Sequence, residues 1–545
     1  MRNIVIIGGV AGGMSAATRA RRMNEQASIT VIEKGGFISF ANCGLPYHIA
    51  GRIENEADLL MTTPQAAWAR FRIDARVGQE VVSIDRERKR VLVRRLEGGF
   101  EYELPYDKLI LAPGANAIVP PIANVRAENV FLLRTMEDTR AIRDVIAKQN
   151  PKRAAIVGGG FIGLEMAEAL RDRGIEVTII EKMPRVLPPM DPEMAGIVEQ
   201  TLARHDVRVH AGNGLKALIG TEHRVSAIEL EDGATVETDF VLMSIGVRPN
   251  VELAKTAGIT IGASGAIAVD AQQRTNDPDV YAVGDASEVV HGVHGKTMRV
   301  PLAGPANRQG RLAGEHAATD AAAPAGKVLG TAIVQVFETS AGITGLGEKA
   351  ARDAGFDVDT VYVLPKHHAG YYPGAEPMRI KLIYCRATGR LLGGQAVGGQ
   401  GVDKRIDVIA TVLHFGGTID DLASLDLAYA PQFGSAKDAV HIGAMVAQNQ
   451  RRGDSVAIAP SALDGQQLVD VRTPPEFAAG TLHGAINVPL DELRERAWAD
   501  LDQKRPTVVF CAVGQRGYAA ERVLRQMGFD DVKNLKGGYS LAMVK

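Results

Sequence analysis

The chain has 545 residues, a length that accommodates three or four domains. Its formal net charge is −2 and it has no basic stripe, which argues against binding to nucleic acid or to a membrane surface. Three cysteines give no disulfide framework, which predicts a reducing, cytoplasmic location. No apolar run of about 18 residues occurs and the N-terminus leads straight into a strand, so we expect neither a membrane span nor a signal peptide.

The first elements predict a nucleotide-binding unit. The apolar run Ile4–Ile7 predicts a buried parallel strand, and a glycine-rich turn from Gly8 to Gly13 leads into a helix. Such glycines let the backbone approach a pyrophosphate at the helix N-terminus, and Glu33, after the next strand, suits a ribose. Val10 replaces the second glycine of the pattern, which leaves a plain glycine-rich turn as the alternative.

Cys43 follows this unit in a polar stretch that also contains Ser39, Asn42, Gly44 and Pro46. It is predicted to lie near the start of a helix, where backbone N–H groups and the helix dipole lower a thiol pKa and make the sulfur nucleophilic. A small buried core residue is the alternative, but these neighbours are poor core residues. The setting therefore favours a redox role.

A second nucleotide-binding unit follows the strand Ala154–Val157. Gly158, Gly160 and Gly163 form a complete G-x-G-x-x-G pattern that opens a helix, and the next strand ends at Glu181. With a strand before it, a helix after it and an acidic residue at the end of the next strand, the pattern predicts a dinucleotide site.

Charged residues around the second unit bear on which nucleotide binds. Glu181 favours a free 2′-hydroxyl and hence NADH over NADPH, whereas Lys182 and Arg185 leave NADPH possible because either cation suits a 2′-phosphate. Glu165 is predicted to point toward the nicotinamide region. The alternative for Glu165 is a first-turn charge that complements the helix dipole.

The stretch Thr275–Asp285 resembles the second flavin motif of flavoproteins with two dinucleotide sites, and Leu111–Gly114 and Ile245–Pro249 resemble their interdomain crossovers. To about residue 450 the chain resembles the pyridine nucleotide-disulfide oxidoreductases. This resemblance implies FAD and NADH as cofactors, with Asp285 on the FAD ribitol. It also assigns three further residues to cofactor binding: Gly114, Leu302 and Ala303.

The implied fold class is α/β, with two Rossmann-like domains, an α+β dimerisation domain and a further C-terminal α/β domain. The predicted limits are 1–115 and 250–325 for the FAD domain, 116–249 for the inserted NAD(P)H domain, 326–450 for the dimerisation domain and 455–545 for the C-terminal domain.

A single cysteine stands where most disulfide reductases of this family have a C-x4-C pair. The sequence around Cys43 resembles the branch that contains coenzyme A disulfide reductases, persulfide reductases and NADH oxidases and peroxidases. Oxidase and peroxidase members carry a histidine in the first glycine-rich turn, where this chain has Ala11. Ala11 therefore disfavours an oxidase or peroxidase, in which Cys43 would cycle through sulfenic acid, and this activity is kept as the alternative.

Tyr371 and Tyr429 lie in stretches that resemble the coenzyme A disulfide reductase pattern, in which two tyrosines reach the active cysteine of the other subunit of a homodimer. A phenol there assists a leaving thiolate. Packing at a dimer interface is the alternative.

Coenzyme A, as substrate or bound ligand, suits four residues of the N-terminal region. Arg19 and Arg22 suit its phosphate-bearing end, and Ser39 and Asn42 suit its thiol arm. For each arginine alone, a solvated helix face is the alternative.

A linker at 450–454 precedes the stretches Leu468–Arg472, Glu476–Phe477 and His483–Pro489. These stretches resemble a rhodanese domain, which gives the C-terminal domain at 455–545 an α/β rhodanese fold. The strand Val508–Phe510 delivers Cys511 to a loop that ends at Arg516. Successive N–H groups of such a loop stabilise a thiolate or persulfide, and Arg516 adds positive charge. Cys385, by contrast, has the context of a structural strand residue.

These resemblances imply an FAD-dependent enzyme that uses NADH to reduce coenzyme A disulfide, coenzyme A persulfide or polysulfide through Cys43, while Cys511 carries sulfane sulfur. A non-reducing sulfur carrier is the second alternative. The predicted partners are a small-molecule disulfide or persulfide and a second copy of the chain.

Overall fold

The computed structural model describes residues 2–544 and divides the chain into two units. The first unit contains Met1–Val186 and Ala203–Gly330, and the second contains Leu187–Leu202 and Thr331–Lys545. Among residues 2–544, no helix combines the length and apolar character that crossing a bilayer requires.

Two five-stranded parallel sheets form the first unit. The strands of the first sheet are, in spatial order, Val280–Ala282, Lys108–Leu111, Asn3–Ile7, Ser28–Ile32 and Ile73–Arg76. Those of the second sheet are Val130–Phe131, Phe240–Met243, Arg153–Val157, Glu176–Glu181 and Arg208–Ala211. Their nearly continuous apolar sequences are typical of parallel strands covered on both faces. Each glycine-rich turn follows the middle strand of its sheet, and this strand is parallel to its neighbours and buried, as predicted.

The chain passes between these sheets through one antiparallel pair of short strands, Ala115–Ala117 and Val247–Pro249. All strands of the second sheet lie between these two segments in sequence. Val280–Ala282 then returns to pair with Lys108–Leu111 in the first sheet. The second nucleotide domain is thus inserted into the first, as the resemblance implied, while the exact domain limits stay a prediction.

Helices and smaller sheets complete the first unit. Its α-helices are Ala11–Met23, Leu45–Ala50, Pro64–Phe71, Met136–Gln149, Phe161–Asp172, Glu252–Thr256 and Ala303–Thr319. Its antiparallel sheets comprise Ser39–Phe40 with Leu60–Thr62, Gln79–Asp85 with Arg90–Arg95 and Glu101–Pro105, Leu215–Gly220 with Val225–Leu230 and Thr235–Glu237, and Val289–Val290 with Thr297–Met298. A Cβ on Gly310 would lie 2.1 Å from the carbonyl oxygen of Gly12, so glycine permits the close crossing of the first and last helices.

The second unit contains an antiparallel and a parallel sheet. The antiparallel strands are Ala332–Val336, Thr339–Gly345, Leu391–Gly398, Met378–Cys385 and Val358–Val363, and the helices in this part of the chain are Pro192–Arg204, Glu348–Asp353, Val402–His414, Ile419–Ser424 and Ala439–Arg451. The parallel strands are Ala457–Ile458, Val532–Leu535, Thr507–Phe510, Gln467–Asp470 and Ile486–Asn487, and their helices are Pro474–Ala478, Leu493–Asp500, Gln515–Gln526 and Gly538–Ala542.

A buried ion cluster joins Leu187–Leu202 to the antiparallel sheet. The Lys381 ammonium is 3 % exposed and lies 2.9 Å from Asp191 and 2.8 Å from Glu348, and it also pairs with Glu193. The carboxylates are close enough to one another to suggest a cation site, but Lys381 already supplies the cation. The cluster is therefore an internal ion pair network.

Candidate functional site

The first unit encloses a cavity of about 1400 Å³ at the carboxyl end of its first sheet. The glycine-rich turn, Glu33, Cys43, Gly114 and Asp285 all contribute to its wall. A nucleotide binds an open parallel sheet at this edge. The cavity therefore brings together the predicted flavin-binding residues and the predicted reactive cysteine.

The first glycine-rich turn has the shape that a pyrophosphate requires. Val10 is the N-cap of Ala11–Met23 but makes no side-chain cap, so the first N–H groups of the helix stay available for an anion. Glu33 accepts hydrogen bonds of 2.8 Å from the N–H groups of Gly9 and Gly35. These features fit FAD, with Val10 in place of the second glycine.

The second glycine-rich turn repeats this arrangement. Gly160 caps Phe161–Asp172 without a side chain, and Glu181 accepts hydrogen bonds of 2.7 Å from the N–H groups of Gly159 and Met183. Lys182, one of the two cations that left NADPH possible, pairs with Glu231 at 2.9 Å. The geometry fits a dinucleotide with a free 2′-hydroxyl.

The last glycine of each pattern serves helix packing rather than ligand contact. A Cβ on Gly13 would lie 1.8 Å from the carbonyl oxygen of Gly8, and a Cβ on Gly163 would lie 2.0 Å from that of Gly158. Gly8 and Gly158 themselves have φ of +93° and +108°, which favour glycine. These four residues shape the two turns that receive the nucleotides.

Cys43 occupies the predicted position at the start of a helix. The three-residue turn Asn42–Gly44 runs directly into Leu45–Ala50, and the side chain of Cys43 is exposed to the cavity. The predicted lowering of its pKa is wrong: partial desolvation by the cavity wall raises the thiol pKa, with a further contribution from Glu165. Arg134 and the backbone hydrogen bond at Cys43 lower the thiol pKa but do not reverse these effects.

Glu165 lies close enough to Cys43 to influence the charge on its sulfur. Its carboxylate accepts a hydrogen bond of 3.4 Å from the hydroxyl of Tyr47, and burial raises its pKa to about 7. Glu165 is therefore a group at the cysteine that changes charge near neutral pH, rather than a plain first-turn charge.

Arg134 is a site residue that the sequence did not reveal. Its guanidinium lies 2.7 Å from Asp285, and its positive charge opposes the increase in the pKa of Cys43. Arg134 and Asp285 are 151 residues apart and Arg134 belongs to no motif, so no sequence signal marks it.

The residues predicted to bind coenzyme A make other contacts. Arg19 donates hydrogen bonds of 2.9 and 2.6 Å to Glu315, and exposed Arg22 lies over the ring of Phe71 at 5.5 Å. Asn42 lines the cavity and donates to the carbonyl of Arg134 at 3.2 Å.

Ser39 does not line this cavity. It is 7 % exposed, and strand alternation directs the next residue, Phe40, to the cavity instead. Ala303 lines the cavity, and Leu302 precedes the helix that Ala303 begins.

Tyr371 and Tyr429 come together in the second unit. Their hydroxyl oxygens are 3.1 Å apart, and their side chains are 77 % and 49 % exposed. The hydrogen bond to Tyr429 raises the pKa of Tyr371, so this phenol stays protonated at neutral pH. A packed core role is thus excluded for both side chains in this chain.

A buried arginine braces the two loops that carry these tyrosines. Arg405, 2 % exposed, pairs with Asp438 at 2.7 Å and donates to the carbonyl of His367 at 2.8 Å. The N–H of Ala369 donates to the carbonyl of Pro431 and joins the loops directly. No sequence signal marks Arg405, because it belongs to an otherwise ordinary amphipathic helix.

Cys511 follows the strand Thr507–Phe510 and is 1 % exposed. The N–H of Gly514 donates to its sulfur at 3.1 Å, and the helix Gln515–Gln526 begins directly after this loop. Gly538 packs on the loop so closely that a Cβ would lie 2.3 Å from the carbonyl oxygen of Cys511. The loop thus places one backbone donor, the N–H of Gly514, on the sulfur, and the predicted set of successive donors stays a prediction.

Arg516 contacts the sulfur of Cys511, but its charge is compensated. It donates two parallel hydrogen bonds of 2.7 and 2.8 Å to Glu476, and the pairing raises the pKa of the guanidinium. Arg516 lies beside the sulfur, as expected, but Glu476 offsets the positive charge that it adds. The two partners are 40 residues apart, so no local sequence pattern marks this pair.

The chain contains two dinucleotide-binding folds, and an accessible thiol lies in the cavity of the first. An oxidoreductase that passes electrons between two nucleotides and then to sulfur has this arrangement. The chain belongs to the pyridine nucleotide-disulphide oxidoreductase family, whose model matches residues 2–310. The dimerisation domain model of the same family matches residues 331–440, and a rhodanese-like domain matches residues 455–542.

Three known proteins are similar over most of the chain. Reduced Bacillus anthracis CoADR-RHD is 41 % identical, with a TM-score of 0.95 over 100 % of this chain and 98 % of that one. An NAD-dependent persulfide reductase from A. fulgidus is 39 % identical, with a TM-score of 0.95 over 99 % of both chains. The NAD(P)H coenzyme A polysulfide/persulfide reductase of Pyrococcus horikoshii is 36 % identical over 82 % of this chain and 98 % of its own length.

The family uses FAD and NAD(P)H, and the two turns described above fit these cofactors. The fold class, the fusion to a rhodanese-like domain and the oxidoreductase activity predicted from the sequence are confirmed. The roles of the individual site residues stay predictions.

Proposed function

We propose that this protein uses NADH to reduce coenzyme A disulfide, coenzyme A persulfide or polysulfide at Cys43. The observation that carries the proposal is the exposed Cys43 thiol in the wall of the cavity that fits FAD. The names of the similar proteins, which include a coenzyme A polysulfide/persulfide reductase, support the substrate class.

The thiolate of Cys43 attacks one sulfur of the substrate disulfide. The bond to the second sulfur breaks, one thiolate leaves, and a mixed disulfide forms on Cys43. Bound FAD would supply the transfer of two electrons from NADH to this mixed disulfide. Reduction of the disulfide releases the second thiol and restores the Cys43 thiolate. Arg134 favours the ionised sulfur, while Glu165 opposes it above neutral pH.

Tyr371 and Tyr429 act from the partner subunit of a homodimer, where their hydroxyls assist the leaving thiolate. Their exposure in this chain supports that role, because neither hydroxyl is buried in its own subunit. The matched dimerisation domain supports the homodimer, and three unpaired cysteines support a reducing, cytoplasmic location.

Cys511 accepts or delivers sulfane sulfur and takes no electrons from NADH. The N–H of Gly514 donates to its sulfur, and the rhodanese-like domain has no nucleotide-binding motif of its own. An oxidase or peroxidase is disfavoured because Ala11 lines the cavity where such enzymes carry a histidine.

Substitution of Cys43 tests the proposal. Cys43→Ser should retain FAD and lose NADH oxidation with coenzyme A disulfide, coenzyme A persulfide and polysulfide. Sulfide release should be measured alongside, and oxygen or peroxide alone should drive little turnover of the unsubstituted enzyme. Near-normal turnover in the variant would contradict the proposal.

A further inference from the structure

The approach to Cys511 carries a negative charge that the reaction itself does not require. Cys511 is 1 % exposed, whereas the side chains of Arg516 and Glu476 are each 36 % exposed. The pair therefore lies nearer to solvent than the sulfur does. Because Arg516 interacts with both the sulfur of Cys511 and the Glu476 carboxylate, we expect a donor that reaches Cys511 to experience the charge of Glu476.

Two residues, Arg516 and Thr473, hold the Glu476 carboxylate in place. It accepts both hydrogen bonds from Arg516 and two more from Thr473, of 3.0 Å from its N–H and 2.9 Å from its hydroxyl. These contacts lower its pKa to about 2, so it is ionised throughout the physiological range. The positive charge beside the sulfur is thus offset permanently.

The two other cations that flank the loop are also paired with carboxylates. Arg472 lies over the ring of Tyr539 at 4.3 Å and pairs with fully buried Asp470 at 2.6 Å. Lys536 pairs with Asp359 at 3.0 Å. In the described part of the domain, every cation identified around the loop therefore has an anionic partner.

We propose that the Glu476–Arg516 pair makes Cys511 selective for persulfide donors, whose reacting sulfur group carries at most one negative charge, and against the thiosulfate dianion. The inference rests on the proposed role of Cys511 as a carrier of sulfane sulfur. A single guanidinium that is already neutralised offers little attraction to a dianion that approaches a thiolate.

Both donors react by the same displacement, so the charge at the reacting sulfur group distinguishes them. The phosphates of coenzyme A persulfide lie at the other end of the molecule from this group. The Cys511 thiolate attacks the sulfane sulfur, the bond behind it breaks, and its electron pair leaves with the remaining fragment. Thiosulfate yields the Cys511 persulfide and sulfite, and coenzyme A persulfide yields the same enzyme species and coenzyme A thiolate. No electrons are gained or lost overall in either case.

Glu476→Gln is the discriminating variant because an amide retains the shape of the side chain and removes its charge. Formation of the Cys511 persulfide is followed by mass spectrometry of the Cys511 peptide, without NADH, with thiosulfate or coenzyme A persulfide as donor. Glu492→Gln is the matched control, since Glu492 pairs with Arg496 at 2.7 Å on the exposed surface of the same domain.

We expect Glu476→Gln to raise the thiosulfate rate about tenfold or more, with a much smaller change for coenzyme A persulfide. Increasing salt should raise the thiosulfate rate of the unsubstituted enzyme and narrow its difference from the variant, because an exposed charge is screened. An unchanged ratio of the two rates, or an equal loss of both, would overturn the proposal. NADH-linked reduction of coenzyme A disulfide, measured on the same preparations, reports separately on the proposed function.

Discussion

The N–H of Gly159 donates a hydrogen bond of 2.7 Å to the carboxylate of Glu181. The N–H of Gly9 makes the equivalent hydrogen bond, of 2.8 Å, to Glu33. In both nucleotide-binding units the acidic residue that follows the second strand thus fixes the glycine-rich turn. A carboxylate fixed in this way is also poised to meet a ribose hydroxyl.

This relationship predicts a preference for NADH. Glu181 should favour NADH over NADPH by roughly tenfold or more in kcat/KM, because a 2′-phosphate would lose its hydrogen bonds and meet a negative charge. Glu181→Gln should narrow the preference, since the amide keeps an acceptor oxygen but no charge. Equal kcat/KM values for both nucleotides in the unsubstituted enzyme would show that nearby cations override Glu181.

The second prediction concerns the pH dependence of Cys43. Glu165, with a pKa of about 7, is neutral below that pH and ionised above it, where its charge opposes ionisation of the thiol. Glu165→Gln should therefore lower the pKa of Cys43 and speed its alkylation by iodoacetamide above pH 7.

The Tyr47→Phe variant provides the control for this experiment. The hydrogen bond from Tyr47 lowers the pKa of Glu165, so its loss should move the inflection that Glu165 causes to higher pH. Identical alkylation profiles for the Glu165→Gln variant and the unsubstituted enzyme would rule out the influence of Glu165.

The third prediction concerns the tyrosine pair. Tyr371→Phe and Tyr429→Phe should each reduce the rate of coenzyme A disulfide reduction by about tenfold or more, because each removes a hydroxyl that assists the leaving thiolate. Tyr372→Phe is the control in the same loop, and its ring lies 5.6 Å from that of His368. Equal effects at all three positions would indicate loop packing and not proton donation.

The fourth prediction concerns the stability of the second unit. Lys381→Met should destabilise the protein by about 3–5 kcal/mol, because it leaves buried carboxylates without their cation. Lys349→Met, which breaks an exposed pair with Asp353, should cost at most about 1 kcal/mol. Thermal unfolding followed by circular dichroism compares the two variants.

The same cluster predicts how stability changes in acid. The Lys381 ammonium holds the pKa of Glu348 at about 2, below its ordinary value of 4.5, although burial acts in the opposite direction. The stabilisation is therefore complete above pH 4.5 and is lost as the pH falls toward 2. Lys381→Met should remove this part of the acid dependence, and an unchanged acid profile would contradict the assignment.

The elements that the sequence predicted best are those encoded by local patterns. The strands before Gly8 and Gly158 begin one residue earlier than predicted, and their turns and acidic residues lie as expected. Contacts between distant residues were not predictable in this way. Arg134 meets Asp285, and Glu476 meets Arg516, only after the chain has folded.

The pKa of Cys43 shows why local reasoning failed at the site itself. The residues next to Cys43 predicted a helix start, which the structure contains, and hence a lower pKa. Glu165, 122 positions further along the chain, and desolvation in the cavity reverse the sign. Neither effect is visible in the sequence around the cysteine.

The central claim is that electrons leave through Cys43 and that Cys511 moves only sulfur. The most direct test is NADH-dependent reduction of coenzyme A disulfide by Cys511→Ser, because this substrate contains no sulfane sulfur. The account predicts that the variant keeps this activity while it loses sulfur transfer from persulfide donors. Loss of coenzyme A disulfide reduction, with FAD content and dimer state unchanged, would show that Cys511 is a resolving cysteine and would contradict the account.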